Sequence, residues 1–300
     1  MAIFQETRDY LKKKGLPEGD LWDQPTSGKT FPDGAHFRIE VPTVNSSAAV
    51  AALLKRAKQL GVTINRVTET RGIFRHTLGE LKEYMDLGKE YGAQMVLSTG
   101  PRATYDTGAT VLSPEGVRIS YRLRGMEQVV RAVEDIKRAI DIGCRNILVY
   151  DEGLLWLLDQ MRKDGKMPKE MHFKVSAHCG HCNPISFRVL AGLGADTINP
   201  VRDLQLPMIA ALRAAVDVPL DLHTDNPPAS GGFIRTYEAP EIARIGSPCH
   251  LKTGNSVVAA HGIVTGAAEG EKMAEQASII VEMMNKYYPK MKQSKPGFKK

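Results

Sequence analysis

The chain has 300 residues, 42% of them hydrophobic and 25% charged, the balance of a folded protein with a sizeable core. No run reaches the ~18 apolar residues of a membrane span, and the start, MAIFQETRDYLKKKG, lacks the apolar stretch of a signal peptide, so a cytoplasmic protein without a membrane partner is expected. The formal charge of +6 owes much to Lys290, Lys292, Lys295, Lys299 and Lys300, and the aromatics (6%) are not interleaved with basic residues; this argues against nucleic acid and fits a small anionic substrate equally well.

Residues 1–35 precede the first strand; within them 6–14 read as a short helix ended by Gly15 and Pro17, expected to cover the amino-terminal mouth of a barrel. Eight short β-branched runs come next, at 36–41, 64–70, 95–99, 146–151, 172–178, 196–199, 219–225 and 250–253. Helical patterns alternate with them at 46–60, 76–91, 126–142, 154–163, 185–192, 204–216, 240–245 and 271–287. Eight such units predict a closed α/β architecture, a (β/α)8 TIM barrel over 36–288, with the basic residues 289–300 expected to be a disordered tail. An open doubly wound sheet is the runner-up, but its Gly-rich first turn is missing, so no nucleotide cofactor is indicated. Two loops are long: 101–125, where TVLSPEGVRISYR suggests a hairpin flap, and 226–237, where Gly231-Gly232 suggests a lid hinge.

Period-two alternation separates the faces of each strand. In VPLDLHTDN the leucines suit the helix-packed outside, which turns Asp221, His223 and Asp225 inward; the same parity turns Lys174, Ser176 and His178 inward, with Arg38, Glu40 and Lys252. Barrel interiors are normally filled by branched aliphatics. Ions there must pair, hold a metal or meet a substrate. The alternative to a functional interior is an internal ion network such as Arg38 with Glu40 and Asp221.

Glu40, Glu69, Lys174 and Lys252 are the candidate catalytic groups, and Arg38, Arg71, Arg102, Asp151, Glu152 and Asn199 the candidate substrate ligands. His178, His223 and Asp225 supply the two imidazoles and one carboxylate of a zinc, manganese or iron site with an open position, and are expected to converge at the carboxyl-terminal mouth. Cys179 and Cys182 form a C-x-x-C at the end of strand five, a redox or metal alternative. Cys144 and Cys249 precede their strands, at the other end of the barrel, and read as buried fillers.

The segment KVSAHCGHCNPISFRVLAGLGADTINPVRDLQLPMIAALRAAVDVPLDLHTD resembles the collagenase-like peptidase family U-thirty-two, through Asn183 opening a helix, Leu193-Gly194-Ala195, Arg202-Asp203-Leu204 and the His223 strand. The resemblance covers about a third of the chain and implies a barrel fold. Some members of that family resemble iron–sulfur proteins with four clustered cysteines; this chain's cysteines lie at both barrel ends, and it has His-Thr-Asp-Asn where His-Gly is usual. The combined expectation is a hydrolase or lyase working by metal-assisted or general acid–base chemistry on a small polar, anionic substrate, with room for a homo-oligomer. Two alternatives stand beside it: an aldolase-type enzyme using a Schiff-base lysine, and a non-catalytic or redox accessory barrel built on Cys179 and Cys182.

Overall fold

The computed structural model describes residues 3–100, 113 and 121–297. Eight parallel strands close on themselves in sequence order: β1 (Phe37–Pro42), β2 (Arg66–Thr68), β3 (Gln94–Ser98), β4 (Asn146–Val149), β5 (His172–Val175), β6 (Thr197–Ile198), β7 (Leu220–His223) and β8 (Cys249–Lys252). Closure is made where β8 pairs with β1, Leu251 opposite Ile39 and Lys252 opposite Glu40. All eight expected runs are present, and all but the first end earlier than expected. The chain leaves the sheet after Val175 into a 3-10 turn over Ala177–Cys179, capped by the Ser176 hydroxyl.

The outward residues Phe37, Ile39, Val41, Val67, Phe173, Leu220, Leu222 and Leu251 are buried under the helices. Each such burial is worth roughly 1.5–3 kcal/mol. Helix α1 (Gln5–Lys13) lies outside the barrel; α2 (Ser47–Gln59) begins at Ser46, whose hydroxyl accepts from Ala49 N, and buries Val50, Leu53, Leu54 and Ala57. Then come α3 (Leu78–Tyr91), α4 (Gly125–Asp141), α5 (Glu152–Lys163), α6 (Pro184–Gly192), α7 (Leu206–Ala215), α8 (Ala239–Gly246) and α9 (Ala267–Tyr287). The last closes the outer ring against α2 at Gly270, where a Cβ would stand 2.3 Å from the Ala49 carbonyl oxygen. Only glycine permits that approach. No helix among the described residues is long and apolar enough to cross a membrane.

The amino-terminal segment does not cover the mouth with its helix. No α1 residue is buried, and the end of that helix is held by Arg188 of α6, whose guanidinium donates to the Lys14 and Gly15 carbonyls at 3.0 and 2.5 Å. Phe31 reaches the mouth instead, with the Arg38 guanidinium 3.8 Å over its ring and His250 edge-on at 5.2 Å.

The basic tail differs from the expectation of disorder as far as Gly297. Gln293 bridges Phe37 in parallel, His36 N donates to Lys292 O at 2.8 Å, and Asn65 Nδ2 donates to Ser294 O at 2.8 Å. The backbone finds partners at the start of β1 while Lys292 and Lys295 stay exposed, so charge in the side chains does not prevent ordering of the main chain.

Candidate functional site

Inside the barrel, two layers of polar residues differ in what surrounds them. In the lower layer Glu40, Arg66, Lys174, Asp221 and His250 are all at most 1% exposed. Arg66 Nη1 lies 3.4 Å from Glu40 and 3.2 Å from Asp221; Lys174 Nζ lies 2.8 Å from Glu40 and also bonds Asp221. Two carboxylates thus face two cations. Burial pushes both acids toward protonation, but Lys174 with its cationic neighbours outweighs it, holding Glu40 down at about 2 and Asp221 well below the usual carboxylate range. His250 Nδ1 sits 2.8 Å from Asp221, and burial, helped by Arg66, drops its pKa to about 3. This is the internal network raised as an alternative, with Arg66 in the place given to Arg38.

Donor atoms of Glu40, Asp221 and His250 lie within 4.8 Å of one another, the spacing a metal ion needs. The set does not suit one as it stands, because the Lys174 ammonium already bridges the two carboxylates and Arg66 balances the remaining charge. A divalent ion would have to displace a buried lysine.

Above this layer, at the carboxyl-terminal mouth, a tight cleft with about 20 Å3 of free space is lined by Lys252, Asn199, Arg202, His178, His223 and His261, with hydroxyls of Thr68, Thr70, Ser176, Tyr121 and Tyr150. None of its described lining residues is a carboxylate. Lys252 Nζ donates to Asn199 Oδ1 at 2.5 Å, and Asn199 Nδ2 donates to the Asp221 carbonyl at 2.7 Å, which fixes the amide and through it the amine. The nearest carboxylate atom among the described residues is Glu40 Oε1, 3.7 Å below. Burial first, and the Lys174 charge second, bring the Lys252 pKa down to about 7.

Arg202 Nη2 is 3.2 Å from His178 Nε2 and 3.1 Å from His261 Nε2. His261 Nδ1 meets Thr43 Oγ1 at 3.2 Å, and that hydroxyl donates to Asn255 Oδ1, which makes Nδ1 the protonated nitrogen and leaves Nε2 to accept from Arg202. Burial and the neighbouring Arg202 lower the His261 pKa to about 3. His178 stacks on Tyr121, ring centroids 4.0 Å apart. His223 is likewise neutral, lowered by burial and by Lys252; its Nδ1 lies 3.3 Å from both the Asp225 carbonyl and the Asn255 amide nitrogen, and Nε2 is buried without a protein partner among the described residues.

Of the sequence candidates, Lys252, Asn199, His178 and His223 therefore meet in the cleft, whereas Glu40 and Lys174 are absorbed by the ion network beneath. The expected metal trio does not form. Asp225 lies beyond the end of β7 and turns to the loop after β8, accepting from Gly254 N (3.1 Å), Asn255 N (3.2 Å), Ser256 N (3.0 Å) and Ser256 Oγ (2.6 Å). His178 lies past β5, where strand parity no longer applies. Among the described residues the metal-like grouping is the lower triad, not these three.

The remaining candidates have structural partners. Glu69 ties its own loop, accepting from Ser98 N and Oγ (3.1 and 2.8 Å) and Gly72 N (2.8 Å), with His76 Nε2 at 3.1 Å; Arg71 gives it a backbone N–H and does not line the cleft. Arg38 sits at the opposite mouth, with Nε donating to Ser294 Oγ at 2.9 Å and Asp33 3.7 Å away. Asp151 caps α5 through Leu154 N at 3.0 Å, and Glu152 pairs with Arg122 and with His181 at 2.5 Å. Cys179 is buried, which raises its thiol to about 12 against thiolate chemistry at neutral pH, while Cys182 is exposed and both are unpaired. Arg102 and most of the expected flap lie outside the described residues. The loop after β7 is bonded to itself, Asn226 N donating to Phe233 O, and to the loop after β8, Ala229 N donating to Ala259 O.

No family model matches the chain, and no curated protein matches it. Solved structures do. A Rubisco-like protein from Rhodopseudomonas palustris aligns with a TM-score of 0.50 at 13% identity, covering 85% of this chain and 65% of that one. A protein described as native KDPGal gives 0.49 at 12%, covering 87% and 98%, and a U32 peptidase gives 0.43 at 17%, covering 68% and 74%. At these identities the likeness shows the fold alone, and the U32 peptidase stands among several barrel families. The conclusion that the chain supports is a (β/α)8 TIM barrel of the kind that many enzymes share.

Proposed function

We propose that the protein is an enzyme in which the Lys252 amine adds to the carbonyl of a small anionic substrate, the Schiff-base alternative of the sequence reading. The observation that carries this is an amine with a pKa of about 7 at the carboxyl end of a barrel strand, in a cleft whose described lining holds no carboxylate. An ordinary lysine, with pKa ~10.4, is unprotonated in about one molecule in a few thousand at neutral pH. Lys252, with its pKa brought down to about 7, is unprotonated far more often. The Nζ lone pair forms the C–N bond, the carbonyl oxygen leaves as water after taking two protons, and the resulting iminium draws the electron pair from an adjacent C–H or C–C bond. His223 Nε2, buried and without a protein partner among the described residues, faces the same cleft and is placed to hydrogen-bond the substrate, while the proton released passes to water. The metal-assisted alternative has less to support it, since Arg202 and Lys252 share the cleft with the two histidines and repel a cation.

Borohydride reduction tests the reading by fixing any imine as a stable secondary amine. Incubated with a panel of 2-oxo acids and phosphorylated ketoses and then reduced, the protein gains the mass of one reduced adduct on the peptide carrying Lys252. Lys252→Met takes up none, whereas Lys174→Met is still labelled. No adduct across the panel, or an adduct on a different lysine, overturns the reading.

A further inference from the structure

The geometry points to Arg202 as the receptor for a substrate carboxylate, which makes the ligand class of the cleft a small 2-oxo acid. This deepens the proposed function, resting on it only in placing the substrate's carbonyl at Lys252. Arg202 was visible in the sequence merely as one member of the Arg202-Asp203-Leu204 element, and it lies in the loop after β6.

Three observations combine. First, the Arg202 guanidinium is met by imidazoles and not by an acid: its Nη2 is engaged by His178 Nε2 and His261 Nε2, and its Nε is buried without a protein partner among the described residues. A guanidinium drawn partly out of water is ordinarily matched by an acid, and a carboxylate suits its planar fork. Here the cleft around it has no acid in its described lining. Second, the backbone donors where barrels commonly hold phosphate, in the loops after strands seven and eight, are taken. Gly254, Asn255 and Ser256 N–H groups all point at the Asp225 carboxylate, so the chain supplies its own anion to that nest. Third, the amine and the guanidinium open onto one tight cleft, with about 20 Å3 of free space among its described lining residues, which favours a small ligand over a bulky one. Lys252 and Arg202 line the same small space, so a ligand with its carbonyl next to its carboxylate addresses both.

Binding can be measured without turnover. Oxamate, a carbonyl-carboxylate that does not form an imine readily, and inorganic phosphate are titrated calorimetrically into the wild type, Arg202→Met, Arg202→Lys and Lys252→Met. Oxamate is expected to bind the wild type and Lys252→Met within a few-fold of each other, to lose at least ~10-fold in Arg202→Met, the weight of a hydrogen-bonded charge, and to be poorly restored by Arg202→Lys, whose point charge lacks the fork. Should Arg202→Met not fold, the lysine variant decides. Equal affinity in the wild type and Arg202→Lys, or phosphate binding more tightly than oxamate, overturns the inference. Oxamate binding that depends on Arg202 in a protein that never traps an imine leaves this subsite standing and removes the proposed Lys252 chemistry.

Discussion

Two lysines from neighbouring layers of one barrel interior end up with opposite characters. Lys174 is clasped by Glu40 and Asp221, with Arg66 completing a neutral quartet; Lys252, above them, has an amide oxygen at 2.5 Å and the nearest carboxylate among the described residues at 3.7 Å. Both side chains are buried, so burial alone does not distinguish a structural ion from a reactive one. The partners decide. Lys174 is spent on holding acids together, whereas the Lys252 pKa is lowered first by burial and then by Lys174, with Glu40 and Asp221 opposing.

The sharpest break in this comparison comes from replacing each lysine by methionine. Lys252→Met is expected to lower any imine-dependent turnover by at least ~10³-fold, since no other described residue of the cleft carries an amine. The same change removes a buried group that must discharge to fit, so the melting temperature should hold or rise. A variant that keeps its rate would end the special status of Lys252.

Lys174→Met should do the reverse, mainly to stability. It leaves Glu40 and Asp221 facing each other with Arg66 as the remaining close cation of the network, and breaking a buried pair costs about 3–5 kcal/mol. Denaturant titration reads this directly. A loss under ~1 kcal/mol would mean that the network is not what holds the lower layer.

These roles were legible in the sequence only in part, and the boundary is physical. Strand alternation correctly sent Glu40, Lys174, Asp221, His223 and Lys252 inward, because each lies within a paired strand. It failed at Asp225, two residues past the last residue of β7, where the chain has left the sheet, whereas His178, three residues past β5, reaches the cleft from a 3-10 turn and not from a pleat. Arg66 was missed because the apolar and polar residues of 64–70 suggest no clear face, and its partners come from β1 and β7. Arg202 and His261 come from loops after β6 and β8 and meet His178 only through tertiary closure; no local spacing announces such a meeting. The fold was legible because it is periodic, and the site was half legible because half of it is loop.

The pH dependence sharpens the contrast further. The Lys252 pKa is lowered in the folded state, so its reactive form is populated above pH about 7, and log(kcat/KM) should rise with unit slope below that value and level off above it. Each pH unit on the rising limb is tenfold in rate, or ~1.4 kcal/mol. Stability follows the same group: from about 7 up to the unfolded value near ~10.4 the unfolded chain holds more protons, so this lysine's contribution increases with pH. Glu40, held at about 2, contributes the opposite limb, present above its unfolded value near ~4.3 and lost as pH falls through about 2. A rate that is flat from pH 5 to 9 would show that Lys252 does not titrate where its surroundings place it.

The smallest expected effect distinguishes a loop clamp from a metal ligand at Asp225. Its carboxylate takes four donors from Gly254, Asn255 and Ser256, three of them on Oδ2. Asparagine can keep its oxygen on the three-donor side and present its NH2 to Asn255 N–H, sacrificing one bond. Burial nevertheless raises the Asp225 pKa, the hydrogen bonds offsetting it incompletely, so the ionised form carries a penalty that a neutral amide avoids. Asp225→Asn should therefore destabilise the fold by only about 1 kcal/mol. By linkage, a raised folded-state pKa means that this group's contribution is present below the unfolded value and declines as pH rises through the folded one, and the variant should lack that decline. A metal ligand would behave differently: zinc, manganese or iron added to the wild type would raise its melting temperature by mass action, and the asparagine variant would lose the shift. The clamp predicts no such shift in either protein, so a metal-induced rise that disappears with Asp225→Asn would restore the metal site that the loop geometry argues against.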